Sequence, residues 1–347
     1  MGFKINVVST AVKKGKGGIS TALVGYKESD YFSCFDVSFL CSHDESHKLL
    51  LFFNVAKNIV TDSNKDSVYW FHCAQWVSLI RKLSLAVLVK LKRRKVFFHF
   101  HSAKISDYFN SKWKLFLIGI MLRFADGIVV LTPWWRELFL NEFPFMDGKI
   151  HVSPNPLDSK LEQAARNLEV RSCSDKVRIL AMSRLVKDKG FQSVIKALEF
   201  LPDNYELVIA GDGPYESALR SLVLECGFID RVTFLGWVPY EEKSELLKKC
   251  DVFCLPSKFD SFGMCFIEAM AFGMPVVALN YQATPDVVLN GKTGILCDSS
   301  AASEIANAVL YCVNNKIEMG KQCKSYVLKK YISDHVSSDL ISFFKSS

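Results

Sequence analysis

The stretch Pro256-Ser257-Lys258-Phe259-Asp260-Ser261-Phe262-Gly263-Met264-Cys265-Phe266-Ile267-Glu268 carries two carboxylates on either side of a phenylalanine–glycine turn. The apolar run Val252 to Leu255 before it reads as a buried strand, and a helix is expected to begin near Gly263. Free N–H groups at that helix start can hold a phosphate. Asp260 and Glu268 can then accept hydrogen bonds from sugar hydroxyls on either side, as a carboxylate holds a ribose. The helix macrodipole alone also favours one acid at such a place, but explains two less well.

Other residues suit the same kind of ligand. Arg184 and Lys189, in Ser183-Arg184-Leu185-Val186-Lys187-Asp188-Lys189-Gly190, follow the apolar run Val177 to Met182. Two cations at a strand's carboxyl end fit a diphosphate: arginine grips bidentately and lysine acts as a point charge. A solvated charged loop is the plain alternative. Gly211-Asp212-Gly213-Pro214 reads as a tight structural turn into a helix, with a place beside a nucleotide as the alternative. Gly15-Lys16-Gly17-Gly18 lies between a strand and a helix, where glycines let backbone amides approach an anion. His99 and His101 alternate at a strand's end, so they share one face. His101 stands nearer the end. The pair suggests a metal, but no third ligand is evident in the sequence nearby, and the chain has no Asp-x-Asp to seat a divalent cation. No metal and no cofactor are expected.

A separate signal lies between Trp70 and Ala125. Eleven bases, Arg81, Lys82, Lys90, Lys92, Arg93, Arg94, Lys95, Lys104, Lys112, Lys114 and Arg123, face one acid, Asp107. Within it, Ser111 to Arg123 reads as an apolar helix with cationic ends. Lys112, Trp113, Lys114 and Arg123 there suit an anionic bilayer surface. An apolar core helix with solvated ends is the alternative. No recognised nucleic-acid motif accompanies the charge, so no nucleic-acid partner is expected.

The elements that must position these residues alternate. Strands are expected at Lys4 to Ser9, Val68 to Phe71, Val96 to His101 and Gly127 to Leu131. A second series follows at Val177 to Met182, Glu206 to Ala210, Val232 to Leu235, Val252 to Leu255 and Val276 to Ala278. Helical patterns separate them, which implies βαβ units and parallel sheets. Ser153-Pro154-Asn155-Pro156-Leu157 cannot continue a helix and reads as a connector. The 347 residues suit two domains of ordinary size, and with 50% hydrophobic residues a disordered chain is excluded. The net charge of +7 leaves an anionic partner open. Eleven cysteines without metal spacing fit reduced thiols in a cytosolic protein. No signal peptide and no membrane-spanning run are expected.

Together these motifs resemble the retaining glycosyltransferases of family 4, which have the GT-B fold. The likeness is strongest from Lys176 to about Ser299. It rests on the Gly17-Gly18-Ile19 loop, His101, Asn155 between its prolines, Ser183-Arg184-Leu185 with Lys189-Gly190, and Gly211-Asp212-Gly213-Pro214. It continues through Leu235-Gly236-Trp237-Val238-Pro239, the Asp260 to Glu268 segment, Ala271-Phe272-Gly273-Met274-Pro275-Val276-Val277 and Asn290-Gly291-Lys292-Thr293-Gly294-Ile295-Leu296.

The resemblance implies an α/β protein with two Rossmann-like, doubly wound domains facing a cleft. They are an acceptor-binding domain at 1–155, a nucleotide-sugar domain at 156–325, and a C-terminal helix at 326–347 that packs back on the first. Arg184 and Lys189 would bind the donor diphosphate and Glu268 the ribose. Asp260 stands where the family's Glu-x7-Glu motif has its first acid, one methylene shorter, and would touch the transferred sugar. His101 matches the active-site histidine. Gly17, Gly18, Phe262, Gly263, Met264, Cys265, Gly211 and Asn155 would line the substrate. The implied reaction moves a sugar, with retention, from a UDP-sugar to a glycan or polyprenyl-diphosphate-linked acceptor in O-antigen or capsule assembly. The implied place is the cytoplasm or the cytoplasmic face of the inner membrane. A soluble transferase with a small acceptor and a non-catalytic nucleotide-sugar binder are the alternatives.

Overall fold

The computed structural model describes residues 3–10, 18–43, 48–173 and 175–347. Gly17 lies outside them; Gly18 opens the helix Gly18–Lys27. The chain divides into two compact units, Met1–Ser159 with Ile332–Ser347, and Lys160–Tyr331.

Unit 1 holds β1 (Lys4–Thr10), β2 (Asp36–His43), β3 (Ser67–Cys73), β4 (Lys95–Phe100), β5 (Gly127–Val130) and β6 (Ile150–Val152). They form one sheet in the order β2-β1-β3-β4-β5-β6, and every pairing is parallel. A parallel sheet is covered on both faces, so its inner strands read as unbroken apolar runs. β3 is buried along its whole length. β2 and β6 were not anticipated. Both are edge strands, only partly buried, and their mixed composition gives a weaker signal.

The connector belongs to unit 1. Tyr26 hydroxyl lies 3.2 Å from Ser153 Oγ and donates to the Pro154 carbonyl at 3.3 Å. Pro156 packs so closely on Gly25 that a Cβ there would stand 2.9 Å from its ring. The boundary therefore falls after Ser159 rather than Asn155. The second unit runs on to Tyr331, past residue 325. The helix Ser333–Ser346 is part of unit 1: Val336, Leu340, Ile341 and Phe344, one stripe at helical spacing, join Trp70, Phe97, Tyr26 and Val129 in its core.

Unit 2 holds β7 (Val177–Met182), β8 (Tyr205–Ala210), β9 (Val232–Gly236), β10 (Val252–Cys254), β11 (Val276–Leu279) and β12 (Gly294–Cys297). The order is β12-β11-β10-β7-β8-β9, again all parallel. The chain steps outward from β7 to β9, returns to β10 on the other side of β7, and steps outward again. The strand order thus reverses between β7 and β10, and ligands of doubly wound sheets bind at the carboxyl ends of such strands.

Candidate functional site

Both loops that leave this switch point carry the expected residues. The loop after β7 holds Arg184 and Lys189; the loop after β10 holds Asp260. The two loops are joined by backbone. Lys258 N–H donates to the Asp188 carbonyl at 3.0 Å. Gly190 adopts φ +79°, and a Cβ there would lie 2.3 Å from the Pro256 carbonyl oxygen, so only glycine permits the approach. Lys189 Nζ then reaches Asp260 Oδ1 at 2.6 Å, with the two side chains 10% and 13% exposed. Asp260 Oδ2 is buried and has no hydrogen-bond partner. Arg184 is exposed. Gly211, just after β8, donates its N–H to the Gly236 carbonyl at 2.7 Å. It also lies against the Ser183 carbonyl, so the turn packs the β7 loop from the other side.

The helix Met264–Ala271 begins at Gly263, and no side chain caps it. Its first N–H groups, with the positive end of the dipole, form an anion-favouring end beside Asp260. Met264 and Cys265 are half-buried there, and burial pushes the Cys265 thiol well above its usual range. Phe262 is buried edge-on against Tyr331, with centroids 5.7 Å apart, so it supports the turn rather than lining a surface. Glu268 is buried and receives Lys243 Nζ at 2.9 Å from the helix Tyr240–Lys249. Lys243 was not anticipated. Nothing in the sequence ties it to Glu268, because the contact joins two separate helices.

In unit 1, three imidazoles cluster. The β3–β4 register sets His72 opposite His99, and His101 follows β4 on the same face. His72 Nδ1 lies 2.9 Å from His101 Nε2. The sequence shows no third imidazole near His99 and His101; the fold brings His72 to them from a neighbouring strand. Burial pushes all three below the ordinary histidine range, His101 to about 3, so the rings are neutral. Lys82, read in the sequence as one of the basic stretch, is buried in the helix Trp76–Leu91. It donates to the His72 carbonyl and, at 2.8 Å, to Ser78 Oγ, and burial lowers it to about 8. Asn155 is buried with Oδ1 unpartnered.

The helix Lys112–Arg123 turns Lys112, Trp113, Phe116 and Arg123 outward, with Trp113 55% and Phe116 68% exposed. Lys114 is tucked over the rings of Trp76, Tyr108 and Trp113 at 5.2 to 5.6 Å. Arg123 lies over Phe145 at 5.1 Å. Among the described residues no helix is long and apolar enough to cross a membrane.

Residues 169–330 match the family described as Glycosyl transferases group 1, just under half of the chain and nearly all of unit 2. A GDP-mannose-dependent alpha-(1-6)-phosphatidylinositol monomannoside mannosyltransferase of Mycobacterium tuberculosis is 28% identical over 65% of this chain. The chain spans 64% of that relative's length. An uncharacterized 41.2 kDa protein in the cps region of Klebsiella pneumoniae is 24% identical over 99% of this chain and 100% of its own. Among solved structures, Anabaena HepE in complex with UDP and glucose superposes with a TM-score of 0.77 at 19% identity, covering 100% of both chains. That last likeness shows the fold, two α/β units of the GT-B kind. The matched family and the relatives support a glycosyltransferase.

Proposed function

We propose that the chain is a retaining glycosyltransferase. It moves a sugar from a UDP-sugar to a glycan or polyprenyl-diphosphate-linked acceptor in O-antigen or capsule assembly. One observation carries the reading: where the strand order of unit 2 reverses, a lysine paired with a carboxylate that keeps an orphaned oxygen precedes an uncapped helix start, and an exposed arginine lies on the same loop as the lysine.

In this reading the bond between the sugar's anomeric carbon and the diphosphate breaks, and charge grows on the leaving oxygen. Arg184, Lys189 and the helix end at Gly263 stabilise that charge without a metal or cofactor. The sugar acquires oxocarbenium character. Asp260 Oδ2 accepts from a hydroxyl of the sugar, which satisfies its missing partner. Glu268, which Lys243 holds in place, accepts from the ribose. His101, neutral, orients sugar or acceptor groups. Retention proceeds on one face without an enzymic nucleophile.

The relatives' names favour a lipid-linked or capsule acceptor, while the mycobacterial one names GDP-mannose as its donor. The mycobacterial enzyme acts on a phosphatidylinositol mannoside, and the Klebsiella protein lies in a cps region. The exposed Trp113 and Phe116, flanked by Lys112 and Arg123, support a place at the cytoplasmic face of a membrane.

The test is a panel of UDP- and GDP-sugars offered with a polyprenyl-diphosphate-linked glycan, read by mass spectrometry and by the anomeric NMR signal of the product. A UDP-sugar should give product with the donor's anomeric configuration. Absence of nucleoside diphosphate release across the panel overturns the reading, as does near-native transfer by Arg184→Ala with Lys189→Ala.

A further inference from the structure

We infer that His72, His99 and His101 form a site in unit 1 for one divalent transition-metal ion of the zinc class. One ring nitrogen from each lies within 4.8 Å of one from each of the others, and all three side chains are buried. Ring centroids stand 4.0 Å apart for His99 and His101, and 5.1 Å for both pairs with His72.

A purely structural stack of imidazoles accounts for part of this. It explains the contact between His72 Nδ1 and His101 Nε2. It does not explain His99. A neutral imidazole has one N–H and one lone pair, and both His99 nitrogens are buried without a partner. His72 Nε2 is likewise buried and unpartnered. Buried polar atoms of this kind call for an explanation, and a metal ion is one that uses lone pairs nothing else in the protein uses.

The chemistry of the donor set fits. Three neutral imidazoles are a zinc-type ligand set that leaves a fourth position for water or another exchangeable group. Tetrahedral ligation at about 2.0–2.1 Å sets ligand nitrogens about 3.3 Å apart, so spacings of up to 4.8 Å must close for an ion to be held. His72 and His99 are 1% and 0% exposed while His101 is 7% exposed, which puts the exchangeable position on the His101 side. Lys82 fixes the backbone at His72 through its carbonyl. Its charge opposes a dication, so micromolar rather than nanomolar affinity is expected. The inference shares His101 with the transfer reading, which gives that ring a metal-free role; its own readout is bound metal, so its failure leaves that reading standing.

The experiment uses the full chain, stripped with a chelator, dialysed and titrated with Co(II). One equivalent should bind, with the visible absorption of a four-coordinate site. An X-ray absorption spectrum of the wild-type complex should show imidazole nitrogens and no sulfur. His72→Gln and His99→Gln should each weaken binding by about a hundredfold while near-ultraviolet circular dichroism shows a folded chain. Three results would overturn the site. One is no stoichiometric binding at several hundred micromolar Co(II). Another is a sulfur shell, which puts the metal on one of the cysteines. The last is unchanged affinity in a folded His99→Gln variant. The wild-type spectrum keeps the question open to decision if a variant fails to fold.

Discussion

Lys189 Nζ stands 2.6 Å from Asp260 Oδ1, so the cation proposed for a diphosphate and the acid proposed for a sugar form one ion pair. A diphosphate must therefore compete with Asp260 for Lys189. Asp260→Asn removes the competitor and should tighten UDP binding by about tenfold, or ~1.4 kcal/mol, by titration calorimetry. Transfer should slow, because the sugar loses its acceptor. Weaker UDP binding by this variant would show that Asp260 does not hold Lys189 back.

The same pair bears on stability. Lys189→Met leaves a mostly buried carboxylate without its cation, at a cost of about 3 kcal/mol. Lys189→Met with Asp260→Leu should cost less than the two single changes added together. Chemical denaturation of the full chain measures the difference, and strict additivity would mean that the two groups do not interact.

Glu268 and Lys243 separate binding from folding. Lys243→Ala takes the cation from a buried carboxylate and should destabilise unit 2 by about 3 kcal/mol. Adding Glu268→Gln removes the stranded charge and should restore most of that stability. Nucleotide-sugar affinity should stay at least about tenfold weak in every variant at position 268, or ~1.4 kcal/mol. Unchanged donor affinity in Glu268→Ala would remove Glu268 from the ribose.

What the sequence made legible follows from what is local in it. The inner strands of both sheets are short apolar runs, and those were readable because both faces of a parallel sheet are buried. Arg184, Lys189 and Asp260 stood out as candidates because they follow such strands directly. The missed features join elements far apart in the chain. His72 meets His99 only through the β3–β4 register, and Lys243 meets Glu268 only through the packing of two helices. Lys82 looked like one solvated base among eleven; only the fold shows that it is buried. The contact of Phe262 with Tyr331 likewise joins residues far apart in the chain.

The last helix is also a matter of packing rather than pattern. Phe344 is fully buried, its ring centroid 5.6 Å from Trp70 and 4.6 Å from Phe97. Phe344→Ala should cost about 3–5 kcal/mol through the lost contacts and the cavity left behind. The loss should be confined to unit 1. Hydrogen exchange resolves this: protection should fall in β3 and β4 and hold in β7 and β10. An equal fall in both units would mean that the helix does not belong to one core alone.

The exposed aromatic pair Trp113 and Phe116 tests the membrane reading, since replacing exposed side chains leaves the core intact. Trp113→Ala with Phe116→Ala removes apolar contact that is worth about 1.5–3 kcal/mol for each ring fully buried in a bilayer interface. Lys112→Ala with Arg123→Ala removes the electrostatic part, about 1 kcal/mol for each charge near an anionic surface. The two pairs should behave differently in co-sedimentation with anionic vesicles. The aromatic variant should lose binding at every ionic strength. The charge variant should lose it mainly at low salt, where screening is weak. Lys114, already tucked over three rings, should matter less than Lys112. If the wild-type chain ignores anionic vesicles at low salt, the patch does not bind a lipid surface.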